Sequence, residues 1–291
     1  MEKLEIYYLI LVHKNADQTI RLIRNLDDTG VKFFIHVDLN SESVMAGLQV
    51  YKQKNLFLSD KRFEIRWGGF NIIKATIALI QQAIDHASSE RAYFVLLSGQ
   101  DSPIKKTGHI SSFLNFSYGK QYIQHSRMPS LNSWGKSGGM ERIHFNWFID
   151  EIGGKKSLAL VKEQIEKKDY RAINFVPYGG SQWWCLSKQC VEFILDSLKE
   201  ENLAIYEFFK STLIPDEMFF QTILLNSSFK KSVANNNLRH IDWKSGPDYP
   251  RILKKEDFKV IKRSKKLFAR KFDKDICEDI LLMIEDKILI K

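Results

Sequence analysis

Several common signatures are missing from this chain, and each absence removes a class of function. The 291 residues include three cysteines, Cys185, Cys190 and Cys277, without metal-ligand spacing. That excludes a disulfide framework and a Cys/His zinc site, and it predicts a reducing compartment. Glycine and proline number 15 and 6, so there is no collagen-like or linker-like stretch. No window approaches the roughly 20 apolar residues of a membrane span. The start, Met1-Glu2-Lys3-Leu4-Glu5, carries acids, and the apolar run Ile6 to Val12 is too short for a secretory leader. The expectation is a cytoplasmic protein. There is no Walker phosphate loop, no Gly-x-Gly-x-x-Gly loop and no Gly-x-Ser-x-Gly elbow.

What remains is ordinary globular composition, 44% hydrophobic and 27% charged, with no composition shift to mark a domain boundary. The formal net charge of +9 is uneven: Arg251 to Lys271 holds ten Lys or Arg against Glu256 and Asp257, or +8. Three readings compete for that stretch. It can be a solvated helix face, a site for a phosphorylated ligand or an anionic membrane surface, or a nucleic-acid contact. No aromatic interleaving or nucleic-acid motif accompanies the charge, so nucleic acid is not an expected partner.

Continuous apolar, β-branched runs at Lys3 to Val12, Val31 to Val37 and Arg91 to Ser98 read as buried strands. Helical spacing runs through Ala16 to Leu26 and, most clearly, Phe70 to His86, where Ile73, Ile77, Ile80 and Ile84 share a face. A short strand is predicted over Phe63 to Arg66. Strands alternating with helices imply an α/β fold, a mainly parallel sheet covered on both faces. Ligands in such sheets bind beyond the carboxyl ends of the strands, where His13-Lys14, His36, Asp38 and Gln100-Asp101 collect. Those tips read as a nucleotide site or as unliganded loop residues. Later, Val176 to Leu186 reads as a turn entering a strand, Lys188 to Leu198 and Met218 to Asn226 as helices, Leu238 to Trp243 and Leu267 to Phe272 as short strands, and Ile276 to Leu289 as a closing helix. Ser126 to Gly154 is irregular and reads as an excursion over the active face.

Individual side chains carry weaker signals. Glu217 lies between Leu213-Ile214-Pro215 and Met218-Phe219-Phe220; desolvation there would tune it toward base duty, while the structural alternative is an acid serving a helix N-terminus. Trp183, Trp184 and Trp243 are candidate sugar platforms or core tryptophans; in a strand the first two must point opposite ways. Asp273-Lys274-Asp275 has the form of a metal-holding pair, yet its charged setting reads as surface.

Taken in order, the segments Tyr8-Leu9-Ile10-Leu11-Val12-His13-Lys14, Phe34-Ile35-His36-Val37-Asp38, Arg66-Trp67-Gly68-Gly69, Leu97-Ser98-Gly99-Gln100-Asp101-Ser102-Pro103-Ile104, Tyr178-Gly179-Gly180-Ser181-Gln182-Trp183-Trp184, Pro215-Asp216-Glu217-Met218-Phe219-Phe220 and Leu267-Phe268-Ala269-Arg270-Lys271-Phe272-Asp273 resemble the core-2/I-branching N-acetylglucosaminyltransferase family, which includes peptide O-xylosyltransferases. The resemblance implies one catalytic domain over 1–291 of GT-A type (Rossmann-like), with a nucleotide-binding half, 1–125, and an acceptor-binding half, 126–291. It implies a UDP-sugar donor, N-acetylglucosamine before xylose, inversion at the anomeric carbon, and neither metal nor cofactor. On that template Glu217 is the general base. Arg251 and Lys271 neutralise the departing diphosphate. Val12, His13, His36, Asp38 and Trp67 bind the nucleoside. Asp101, Trp183, Trp184 and Trp243 lie against donor or acceptor sugar. Animal members carry an anchor, a stem and disulfides that this chain lacks. The expectation is therefore a bacterial enzyme acting on a glycan acceptor, with a lipid-linked surface polymer favoured, and with peripheral contact at the inner face of an anionic membrane as an extension. A non-catalytic sugar- or membrane-binding protein on the same fold is the alternative.

Overall fold

The alternation of apolar runs and amphipathic segments is realised as a central sheet. A computed structural model describes residues 4–131, 134–246 and 250–290. Its strands are β1 (Glu5–Val12), β2 (Val31–Val37), β3 (Leu56–Leu58), β4 (Ala92–Ser98), β5 (Asp101–Pro103), β6 (Gln121–Arg127), β7 (Tyr178–Ser187), β8 (Val233–Ala234), β9 (Arg239–Ile241) and β10 (Phe268–Arg270). The main sheet has seven strands in the order β3-β2-β1-β4-β7-β6-β8, and β5-β10-β9 forms a second, three-stranded sheet. In the main sheet β7 runs antiparallel to β4 and β6, while the β1–β2, β1–β4, β2–β3 and β6–β8 pairs are parallel. This is the mainly parallel α/β sheet expected for a GT-A-type, Rossmann-like fold.

The helices are α1 (Ala16–Leu26), α2 (Glu42–Val50), α3 (Asn71–Asp85), α4 (Thr107–Phe116), α5 (Glu141–His144), α6 (Ile149–Ile152), α7 (Gly154–Lys167), α8 (Lys188–Ser197), α9 (Leu203–Phe209), α10 (Phe219–Leu225), α11 (Phe258–Arg263), α12 (Lys274–Cys277) and α13 (Asp279–Ile284). The strand period of two divides the core between the two faces. Tyr7, Leu9 and Leu11 of β1 join Phe94 and Leu96 of β4 and Ile73, Leu79 and Ile80 of α3 on one side. Ile6, Tyr8, Ile10 and Val12 join Tyr93, Val95 and Leu97 with Leu22, Ile23 and Leu26 of α1 on the other. Because both faces are covered, the middles of β1 and β4 are apolar or aromatic, with Glu5 at the start of β1 and Ser98 at the end of β4. A third cluster, with Leu253, Phe258, Ile261, Ile280 and Ile284, sits under the C-terminal helices.

Two local expectations are corrected, and one helix is new. Phe63 to Arg66 is not a strand, and β3 comes earlier. The segment's polar backbone groups are satisfied otherwise: the Phe63 amide donates to His36 Nε2 (2.9 Å), the Ile65 amide to Asp38 Oδ2 (2.7 Å), and the Phe63 carbonyl accepts from the Leu39 amide (3.0 Å). Side chains at the tip of β2 replace a strand neighbour. The closing helix is broken into α12, α13 and a π-turn, Glu285–Leu289. The 14-residue helix α7, exposed along most of its length, follows the irregular excursion and carries no signal in the sequence reading. No helix among the described residues is long and apolar enough to cross a membrane.

Candidate active site

Parallel pairing brings the carboxyl ends of β1, β2 and β4 to one edge, and antiparallel β7 places its first residues at the same edge. At the tip of β1, the Val12 carbonyl accepts from the Asp38 amide at 2.8 Å. His13 follows, and its imidazole is held below its ordinary value by partial burial, then by Lys14 and Lys271. The field of Lys271 on His13 joins the end of β10 to this edge. His36 is buried, and burial pushes its pKa down to about 4. With Nε2 taken by the Phe63 amide, it works as a neutral brace. Asp38 accepts from the Asn40 and Ile65 amides at 2.9 and 2.7 Å, and each carboxylate oxygen keeps acceptor capacity for a ligand. Trp67 stands 80% exposed on a loop that turns at Gly68, φ +79°, where a Cβ is disfavoured. The Gly68 carbonyl accepts from the Ile214 amide at 2.9 Å, which ties this loop to the Glu217 turn.

At the end of β4, Asp101 is buried, and its Oδ2 accepts from the Ser98 amide at 2.6 Å. Its Oδ1 has no hydrogen-bond partner and lies 3.6 Å from Arg270 Nε, the residue paired with it across β5 and β10. Arg270 is buried with its Nε and Nη1 also without hydrogen bonds, and its guanidinium lies 3.9 Å from the Trp183 ring centroid. Trp184 points the other way: it is fully buried and packs on Phe220 at 5.4 Å. Alternation turns Trp184 into the core, which corrects the sugar-platform expectation for it, while Trp183 lies 7% exposed beneath Arg270. Arg251 is engaged with carboxylates. It donates to Asp257 through Nη1 and Nη2 at 3.0 and 2.7 Å, and to Asp242 through Nε at 2.9 Å. Two carboxylates already occupy its fork.

Glu217 lies in a 3₁₀ turn, Pro215–Glu217, entered through Ile214 at φ 52°, ψ 55°. A β-branched residue in the left-handed region is a strained conformation, of the kind found at functional sites. Glu217 is partly exposed, and its Oε2 accepts from Arg142 Nη1 at 2.7 Å. Arg142 also stacks 4.1 Å from the Trp134 ring. Beside Glu217, burial raises Asp216 to about 7, with repulsion from Glu217 adding to it and Arg142 and Arg270 opposing it. Asp101, Arg270, Asp216, Glu217 and Arg142 thus form one chain of charges. Trp243, 52% exposed, lies two residues beyond Ile241, the β9 partner of Arg270.

Asp273-Lys274-Asp275 is not uniformly surface. Asp273 is buried and ion-paired to Lys14, while exposed Asp275 accepts from Asn15 Nδ2 at 2.9 Å. The two carboxylates are committed to separate partners. The sequence reading misses Arg142, Trp134, Arg270 and Asp216. Arg270 and Asp216 each adjoin a residue it names. Arg142 lies 75 positions from Glu217 in a stretch without periodicity, so no local pattern could have found it.

A partly exposed carboxylate, facing cations and aromatic surfaces can bind an anionic, sugar-bearing ligand and remove a proton from a hydroxyl. The family model for the core-2/I-branching enzyme matches residues 6–262. The chain is similar to xylosyltransferase oxt of Drosophila pseudoobscura pseudoobscura, 25% identical over 98% of this chain and 33% of that protein. It is also similar to xylosyltransferase 1 of Homo sapiens, 25% identical over 95% of this chain and 29% of that one. The chain thus spans 29–33% of the length of these curated relatives. Among solved structures it is similar to mouse xyloside xylosyltransferase 1 (TM-score 0.39, 12% identity, 91% of this chain and 96% of that one). It is likewise similar to galactosyltransferase LgtC in complex with donor and acceptor sugar analogs (TM-score 0.39, 11% identity, 79% and 72%).

Proposed function

The chain belongs to the core-2/I-branching enzyme family, and from that premise we propose that it is an inverting glycosyltransferase that moves a sugar from a UDP-sugar to a hydroxyl of a glycan acceptor without a metal ion. One observation carries the proposal: the Glu217 carboxylate, open to solvent and 2.7 Å from Arg142, stands on a strained turn bonded to the Trp67-Gly68 loop at the edge where the parallel strands end.

The chemistry follows from that placement. The acceptor hydroxyl gives its proton to Glu217 as its oxygen bonds to the anomeric carbon. The bond from that carbon to the diphosphate breaks, and its electron pair leaves with UDP. Lys271 and Arg270 meet the charge that develops on the diphosphate, the task a divalent ion performs in other enzymes of this fold. Arg251, held by Asp242 and Asp257, is left as a brace for the start of α11. Asp38, His13 and the Val12 backbone take the uridine, with Trp67 as a ring to stack on it. Asp101 faces the donor sugar, with Trp183 beneath Arg270, and Trp243 faces the acceptor. Residues 1–291 act as one catalytic domain, 1–125 for nucleotide and 126–291 for acceptor.

N-acetylglucosamine is the first donor sugar on the resemblance carried by the sequence motifs. Xylose is the second, favoured by the names of the curated relatives. A lipid-linked glycan for a bacterial surface polysaccharide, reached from the cytoplasmic side, is the acceptor this reading favours. Thermal shift with nucleotide sugars tests the donor half, because a ligand that binds the native state raises its melting point. UDP-N-acetylglucosamine or UDP-xylose should stabilise the protein and GDP-mannose should not. Equal shifts for all three would remove the uridine site.

A further inference from the structure

The basic segment 251–271 holds +8 of the chain's +9 net charge, and the structure sorts its cations into two groups. Arg251 is spent on Asp242 and Asp257, Lys266 donates to Asn236 Oδ1, and Arg270 is buried. Lys254, Lys255, Lys259, Lys262, Arg263 and Lys265 instead stand exposed. Among the described residues none of these six forms an ion pair. Phe258 and Ile261 of α11 are buried against Ile280 and Ile284 of α13, so the helix turns its charged side outward. Val260, 57% exposed, projects from α11 amid these charges.

We infer that this face of α11, with the turn before it and Lys265 after it, is a docking surface for an anionic lipid bilayer. Charge complementarity argues for that occupant: unpaired cations around an exposed aliphatic residue match a leaflet whose headgroups are acidic and whose interface is apolar. Five of the six cations are lysines, compact charges suited to a diffuse headgroup layer rather than the bidentate phosphate contacts that favour arginine. The surface is joined to the catalytic cleft. The Leu253 amide donates to the Lys271 carbonyl at 2.8 Å, and Arg251 bonds Asp242, the neighbour of Trp243. Docking there holds the acceptor side of the cleft at the membrane, which rests on the proposed lipid-linked acceptor.

The test is flotation of the full chain with phosphatidylcholine vesicles, with and without phosphatidylglycerol, compared with the variant K259Q/K262Q/R263Q. Melting temperature and the UDP-sugar shift, measured on the same preparations, register folding and the donor site separately. The wild-type protein should float only with phosphatidylglycerol and be released as salt rises. One cation near an acidic leaflet is worth about fivefold in affinity, so the variant should lose about a hundredfold. Equal flotation of the folded variant, equal binding to neutral vesicles, or preferential retention on random duplex DNA at the same salt would each overturn the assignment. Loss of the UDP-sugar shift with flotation intact would overturn the enzyme reading and leave the docking surface standing.

Discussion

Arg142 Nη1 lies 2.7 Å from Glu217 Oε2, and this contact ties the excursion after β6 to the turn that carries the acid. The ion pair holds the carboxylate in one rotamer and leaves part of it open to solvent. Substituting Glu217→Gln keeps the size and an acceptor oxygen but removes the proton-accepting function. Turnover should fall about 10²–10⁴-fold, while the thermal shift with UDP is retained, because the proposed uridine contacts lie at other strand tips. If the acid serves only a helix start, the change costs roughly 0.3–1 kcal/mol of stability with near-normal turnover. Turnover within about threefold of wild type would therefore remove Glu217 from the mechanism.

Arg142→Met should separate binding from chemistry in the same sense. It keeps an apolar stem against Trp134 but frees Glu217 from its partner. Acceptor turnover should drop at least about tenfold, and UDP affinity should stay within about twofold, as expected for an interaction that positions a catalytic group. Arg142→Lys, which keeps charge but not the planar fork, should restore only part of the loss. A change in UDP affinity equal to the change in turnover would show that Arg142 acts on the nucleotide side instead.

The Trp134 ring reaches this pair through a gap that only glycine leaves. A Cβ on Gly179 would stand 2.1 Å from Trp134 Cη2, and one on Gly139 2.2 Å from Cε3. Gly179→Ala should therefore displace the indole, cost roughly 1–3 kcal/mol as overpacking does, and lower acceptor turnover through Arg142. Chemical denaturation beside steady-state kinetics measures both. A stable variant with unchanged kinetics would mean that Trp134 repacks without consequence for the site.

Chelation is expected to leave turnover unchanged. In the proposed mechanism Lys271 and Arg270 meet the diphosphate charge, and the carboxylates of Asp273 and Asp275 are committed to Lys14 and Asn15. Transfer in excess EDTA should match transfer in its absence. Loss on chelation with rescue by manganese would overturn the cation assignment and return attention to Asp273.

Much of the frame was legible because continuous apolar runs admit one solution. The strands β1, β2 and β4 and the helix α1 lie where period and burial put them. Phe63 to Arg66 misled because its backbone partners are His36 and Asp38, which a strand pattern does not encode. The apolar neighbours of Glu217 left base and helix-start acid both open, and only the family resemblance favoured the base; Arg142 had no signal at all, since a contact across 75 positions depends on how the excursion folds back. Arg251 shows the converse: its charge is plain in the sequence, but the two carboxylates that occupy it, Asp242 and Asp257, emerge only when β9 and the start of α11 are brought together. The Trp183-Trp184 pair was half legible. Strand parity says the two rings must part, and only the packing on Phe220 and Arg270 says which goes where.

Asp216 gives the site a pH signature that can be measured without any substrate. Its carboxyl is raised to about 7 from a reference value of 3.8, first by burial and then by Glu217, with Arg142 and Arg270 opposing. Between those two values the folded chain binds a proton that the unfolded chain has released, so stability falls as pH rises through this window. The contribution is fully present below about pH 4 and is lost above about pH 7. His36, lowered to about 4 by burial, tilts the same range the other way, but it is common to wild type and variant and cancels in their difference. Asp216→Asn removes the titration while keeping the shape. It should be more stable than wild type at pH 8 by on the order of 1–3 kcal/mol, with the gap closing toward pH 4. Urea midpoints for both proteins at intervals across this range read the difference directly. A gap that does not change with pH would show that Asp216 is ionised in the folded protein throughout. In that case the chain of charges from Asp101 to Arg142 would carry two adjacent carboxylates, and the repulsion at Glu217 would have to be balanced by Arg142 and Arg270 alone.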